Sequence, residues 1–192
     1  MSRNLVFGMV AAGALMATLG TAACSARTSA AASQARVARG KYLVTVGGCN
    51  DCHTPLKMGA KGPEPDMSRM LSGHPDSFPI TAGIAPVSDK WMMIAAASGT
   101  AFSGPWGVSF AANLTPDENT GLGIWTEDMF LRAIREGKHM GQSRPIAPPM
   151  PWPAFRNLND EDLKSIFAYL RAIPPIVNHV PDYQPPAEPD EK

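Results

Sequence analysis

The chain has 192 residues, 44% of them apolar and 18% charged, and its 17 basic and 17 acidic side chains cancel. So balanced a charge argues against nucleic acid as a partner. The length suits one domain with a modest core once a leader is set aside.

Residues 1–23 read as an export signal: Arg3 near the start, an apolar run from Leu5 to Leu19, then the small residues Thr21, Ala22 and Ala23. The run is short for a membrane span. Cys24 follows directly, where a bacterial lipoprotein would be cleaved and acylated, although Thr21 stands where a leucine is usual. An ordinary secretory signal cut nearby is the other reading. Either exports the chain to the periplasm, soluble or lipid-anchored to a membrane through Cys24. Residues 24–35, rich in Ala and Ser, read as a flexible tether, and 36–177 as the folded domain.

From Ala35 the pattern becomes helical, with Val37, Tyr42, Leu43 and Val46 apolar and Gly47-Gly48 as the stop. This helix runs into Cys49-Asn50-Asp51-Cys52-His53, the attachment signature of c-type haem. The spacing has a chemical reason. Two thiols on one turn of backbone can each bond a vinyl group of one porphyrin, and the adjacent imidazole then reaches the iron as proximal ligand. Cys24 belongs to the leader, so no pair remains for a structural disulfide, and one motif predicts one covalent haem.

From Thr54 to about Thr120 the chain is dense in Pro, Gly and Ser and reads as loop, with one short helix or apolar turn around Lys90–Ala97. So long a loop suits a domain whose loops pack on a large apolar cofactor. Thr126 then N-caps a second helix with Glu127 and Asp128 in its first turn, Phe130, Leu131 and Ile134 on its apolar face, and Gly137 as its stop. Gly141 to Pro153 carries five prolines and reads as irregular. The last helix begins at Asn159 or Asp160, buries Leu163, Ile166, Phe167 and Leu170, and ends before Pro174-Pro175. The tail 178–192 is proline-rich and acidic and reads as extended or disordered.

The distal side of the iron decides the chemistry. A thioether raises reduction potential and blocks small molecules. Of eleven methionines, Met150 has the best setting, Pro148-Pro149-Met150-Pro151-Trp152-Pro153, whose prolines hold a strap stiff between the two C-terminal helices. Met140 is the runner-up, and His139 would give a two-histidine iron. The second ring nitrogen of His53 also needs a partner, for which a backbone carbonyl near Gly62-Pro63 is the candidate.

In order and spacing, several segments resemble class I c-type cytochromes. They are Arg39-Gly40-Lys41-Tyr42-Leu43, Cys49 to Pro55, Ala112-Asn113-Leu114-Thr115-Pro116-Asp117, Thr120 to Thr126, Arg135-Glu136-Gly137, Pro149-Met150-Pro151-Trp152 and Asp160-Glu161-Asp162-Leu163. The resemblance covers about residues 36–177. It is closest to single-haem relatives of the cytochrome c subunits of bacterial membrane-bound alcohol and aldehyde dehydrogenases. It implies an all-α fold, few helices and long loops around one haem. Cys49 and Cys52 would carry the thioether bonds, with His53 proximal and Met150 distal. The first and last helices would cross near Gly40, against Phe167 or Tyr169. Those subunits usually repeat the haem domain, whereas this chain has one copy, which leaves a free or tethered carrier on equal terms with a dehydrogenase subunit. The 97 positions from His53 to Met150 imply a loop-rich insertion, residues 64–112, read as a flap over one haem edge.

The leading expectation is therefore an electron carrier, not an enzyme, passing single electrons between a dehydrogenase, another cytochrome or a terminal oxidase. Trp106, Trp125, Trp152 and Asn113 would shape the haem environment, and Lys57, Lys61, Lys138 and Arg144 a docking ring. The alternative is a haem enzyme or a gas or peroxide sensor with a displaceable distal ligand. A thiol–disulfide pair without haem lacks the expected strand–helix alternation, and a zinc site lacks a second ligand pair.

Overall fold

A computed structural model describes residues 29–80 and 90–186. The leader and Cys24 lie outside the described residues.

Helix α1 spans 29–46 and starts before Ala35, because Ser29 to Gln34 include alanines that extend a helix at little cost. Its inward stripe is Val37, Gly40 and Val44, whereas Tyr42 and Val46 face solvent. Gly48, in the left-handed region at φ 66°, turns the chain straight into α2, Cys49–His53. Two hairpins follow. Strands β1 (Leu56–Gly59) and β2 (Gly62–Pro65) form one antiparallel pair; β3 (Ile94–Ala95), β4 (Ala101–Gly104) and β5 (Gly107–Phe110) form a three-stranded antiparallel sheet in that order.

The C-terminal half is helical. Helix α3, Glu127–Glu136, is capped by Thr126, whose hydroxyl accepts the Met129 N–H at 3.2 Å, and ends at Gly137 in the left-handed region. A single helical turn, α4 (Trp152–Phe155), opens on Pro153 in its first turn, inside the stretch expected to be irregular only up to that residue. Helix α5, Asp160–Ala172, is capped by Asn159, which accepts the Asp162 N–H at 2.8 Å. Its face of Leu163, Ile166, Phe167 and Leu170 meets Phe130 and Ile134 of α3 and Val44 of α1 in one core, with the Phe130 and Phe167 rings 5.3 Å apart.

The fold is thus mixed α/β, with five helices and two small sheets among the described residues, and the all-α expectation is corrected. Among the described residues, the part read as loop carries every strand. The Lys90–Ala97 segment holds strand β3 where a helix or turn was expected. The buried positions of β4 are Ala101 and Ser103, so its period of two is present in burial and absent from hydrophobicity.

Glycine decides the helix crossing. A Cβ on Gly40 would lie 1.9 Å from the Ser165 carbonyl oxygen and 2.8 Å from the Tyr169 Cβ, so α1 and α5 touch backbone to backbone there. Beside the crossing Arg39 pairs with Asp162 at 2.8 Å.

The start of the C-terminal tail is part of the fold. Asn178 is fully buried. Its Nδ2 donates to the carbonyls of Ser72 at 2.7 Å and His74 at 2.8 Å, and its Oδ1 accepts from Arg69 at 2.9 Å and the Asp76 N–H at 3.1 Å. Asn178→Ala strands these groups, and it is expected to cost about 3 kcal/mol. The check is a urea titration in which the midpoint falls while the slope is unchanged.

Candidate cofactor site

Cys49, Cys52 and His53 are adjacent on α2 and line one cavity of about 420 Å³. Met150 lines the same cavity, reaching it from the proline strap between α3 and α4. Much of the remaining wall is apolar and comes from α3 (Phe130, Ile134), the β4–β5 hairpin (Phe102) and the strap (Ile146).

His53 is 8% exposed, and its Nδ1 donates to the Ala112 carbonyl at 2.7 Å. A carbonyl only accepts, so the proton is on Nδ1 and the Nε2 lone pair is free for a metal. Burial pushes the imidazole pKa down, partly offset by that hydrogen bond, which keeps the ring neutral as a ligand must be. The partner expected near Gly62-Pro63 is thus replaced: that dipeptide sits in β2, and the carbonyl comes from the residue pair beyond β5.

Three braces hold the histidine. Thr54, fully buried, donates to Asn50 Oδ1 at 2.8 Å and accepts the Leu71 N–H at 2.9 Å. Gly73 N–H donates to the His53 carbonyl at 2.8 Å, and His74 N–H to the Ala111 carbonyl at 2.9 Å. Gly73 has φ 78°, and a Cβ there would lie 2.5 Å from the Ala111 oxygen, so only glycine lets 71–74 pass between the α2 turn and residues 111–112.

No disulfide joins Cys49 to Cys52. Burial pushes Cys49 up to about 11, with Asp51 adding to the rise, and Cys52 is raised for the same reasons. A thiol–disulfide oxidoreductase needs a lowered thiol pKa. These cysteines are set the opposite way. Among the described residues no group of three or more His, Cys, Asp or Glu could hold a metal ion, so a protein-only metal cluster has no ligand set there.

Of the distal alternatives, His139 lines the cavity and Met140 does not. His139 Nδ1 meets the Ser143 hydroxyl at 3.3 Å and its ring stands edge-on to Trp125 at 5.2 Å. Trp125 and Asn113 line the cavity, whereas Trp106 and Trp152 do not. Asn113 is a structural knot: its Oδ1 accepts from the Thr115 N–H at 2.9 Å, and its Nδ2 donates to the Ile176 carbonyl at 2.8 Å. Of Lys57, Lys61, Lys138 and Arg144, only Arg144 reaches the cavity, and Lys57 is paired with Asp66 at 3.4 Å. The sequence reading missed His179 to Tyr183, which form part of the wall. Burial alternates along Ile176 to Val180, but the residue types do not, so the sequence offered no signal for this wall.

No protein-family model matches the chain. It is 30% identical to the gluconate 2-dehydrogenase cytochrome c subunit of Pantoea cypripedii over 155 residues, 81% of this chain and 27% of that protein. It is 29% identical to the fructose dehydrogenase cytochrome subunit of Gluconobacter japonicus over 143 residues, 74% of this chain and 22% of that protein. A third match, 29% over 155 residues, joins 80% of the chain to 25% of the cytochrome c subunit of the quinone-dependent alcohol dehydrogenase of Gluconacetobacter polyoxogenes. The chain therefore spans less than a third of the length of each of these proteins. Two thiols, a neutral imidazole and a thioether face one cavity, and over most of its length the chain is a relative of the cytochrome c subunits of bacterial dehydrogenases.

Proposed function

We propose that this chain is an exported monohaem cytochrome c that passes single electrons between redox partners. The observation that carries the reading is the convergence of Cys49, Cys52, His53 and Met150 on one cavity from two distant parts of the chain. The residues fit a haem: Cys49 and Cys52 would form the thioether bonds, His53 Nε2 the proximal ligand and Met150 the distal one. The bound haem supplies a one-electron couple. The polypeptide holds its ligands still in both oxidation states, keeps the imidazole neutral and excludes water with Phe102, Phe130 and Ile134. Arg144 lines the cavity and would offer its positive charge to a haem carboxylate.

The electron donor is a dehydrogenase, as the names of the relatives suggest, and a further cytochrome or a terminal oxidase would accept. The periplasm is the compartment, reached through the leader, with membrane attachment through acylated Cys24 as the tethered form. Among the described residues no helix is long and apolar enough to cross a membrane.

Haem staining of a denaturing gel tests the reading. Protein matured in a host able to attach haem c should stain at the mass of the polypeptide, and Cys49→Ala with Cys52→Ala should not. Unstained parent protein with both thiols open to alkylation would end the proposal.

A further inference from the structure

Residues 178–183 have no regular secondary structure and lead to a bridge at Gln184, and the two ends of this segment are fixed differently from its middle. At one end is Asn178, with its four side-chain hydrogen bonds. At the other, Gln184 and Val108 exchange both backbone hydrogen bonds, at 2.8 and 3.0 Å, and the Tyr183 hydroxyl donates to the Trp106 carbonyl. Gly107 permits that docking: it sits at φ 94°, and a Cβ there would lie 2.1 Å from the Gln184 oxygen. Between the anchors His179, Val180, Pro181, Asp182 and Tyr183 line the cavity that holds Cys49, Cys52, His53 and Met150. Among the described residues His179 to Asp182 make no hydrogen bond of their own to the rest of the fold.

We propose that residues 179–183 are a strap across the cofactor cavity, held at its two ends, which screens the haem edge from water and from small reductants. The proposal rests on the reading of Cys49 and Cys52 as haem attachment sites. The physical warrant is dielectric. The oxidised haem carries one more positive charge than the reduced form, so a wall that keeps water out favours reduction and raises the potential. The same wall lengthens the path of a small solute to the porphyrin. Its central residues have no job in the hydrophobic core, which Val44, Leu163, Phe167 and their neighbours form without them.

Two variants of the haem-loaded protein test this. Gln184→Pro removes one of the two hydrogen bonds to Val108 and leaves Asn178 in place. A chain ending after Asn178 removes the strap and keeps the buried anchor. Both should stain for haem as the parent does, be reduced several-fold faster by ascorbate in stopped flow, and show a lower midpoint potential. The shortened chain should show the larger effect. Haem-bearing variants with the parental reduction rate and potential would overturn the strap while leaving the haem assignment intact. A parent protein that carries no haem would remove the basis of both.

Discussion

Replacing Met150 with alanine is expected to abolish the weak far-red absorption band of the oxidised protein and to lower its reduction potential. The band arises from sulfur bonded to ferric iron, so it reports the ligand directly. A thioether stabilises ferrous iron, and its loss shifts the couple toward the oxidised form. The local structure gives the side chain little freedom to be elsewhere. Pro148, Pro149 and Pro151 restrict the backbone around it, the Ser109 hydroxyl donates to the Pro148 carbonyl at 2.5 Å, and the Trp152 N–H closes onto the Met150 carbonyl at 2.9 Å. His139 lies on the same cavity, so the variant has a second outcome built into it. If His139 takes the vacated position, the spectrum stays low-spin without the far-red band, and adding His139→Ala makes it high-spin. A persistent band in Met150→Ala would assign the sulfur to another methionine. A high-spin parent would instead favour the enzyme or sensor alternative.

The second large effect concerns stability, and its sign separates two arguments. Helix propensity alone favours alanine over glycine in mid-helix by about 1 kcal/mol, so Gly40→Ala would stabilise α1 if α1 stood alone. The crossing with α5 reverses this. The new Cβ would lie 1.9 Å from a main-chain oxygen of Ser165, which cannot swing aside as a flexible side chain can. Either the helices separate and loosen the contacts of Val44 with Leu163 and Phe167, or α5 bends. Overpacking of this kind is expected to cost at least about 2 kcal/mol net. For an ordered domain of this size that is a fall in melting temperature of roughly 4–8 °C. Ala38→Ser, on the exposed face of the same helix, should stay within about 0.5 kcal/mol of the parent. A Gly40→Ala protein as stable as its parent would mean that the crossing is looser than described.

The helical half of the fold was legible because its signals are local. Thr126 and Asn159 cap, Gly137 stops, and Leu163, Ile166, Phe167 and Leu170 repeat at helical spacing, each within a single turn or two. The convergence of Cys49, Cys52, His53 and Met150 on one cavity was anticipated from motif chemistry and from the prolines around Met150. What escaped was set by distant partners. Strand β4 hides its alternation behind Ala101 and Ser103, whose small side chains bury without raising hydrophobicity, and β5 buries three consecutive residues with no alternation at all. The carbonyl that orients His53 belongs to Ala112, and backbone groups carry no residue-type signal. Asn178 looks like a tail residue by composition, yet it bonds to partners more than a hundred positions upstream. The apolar face of the first helix was partly misplaced, because Tyr42 and Val46 look like core residues yet face solvent, whereas the crossing near Gly40 that the resemblance implied is where α1 meets α5 beside Tyr169.

The hydrogen bond from His53 to Ala112 spans 59 positions, and this changes how the domain can be shortened. Excising the whole stretch 64–112 would shorten the domain, but it would also take away the group that fixes which imidazole nitrogen bears the proton. A minimised version would keep both sulfurs and the ring yet let that ring spin. Any redesign that trims this region must therefore supply a new acceptor under the histidine before it removes the old one.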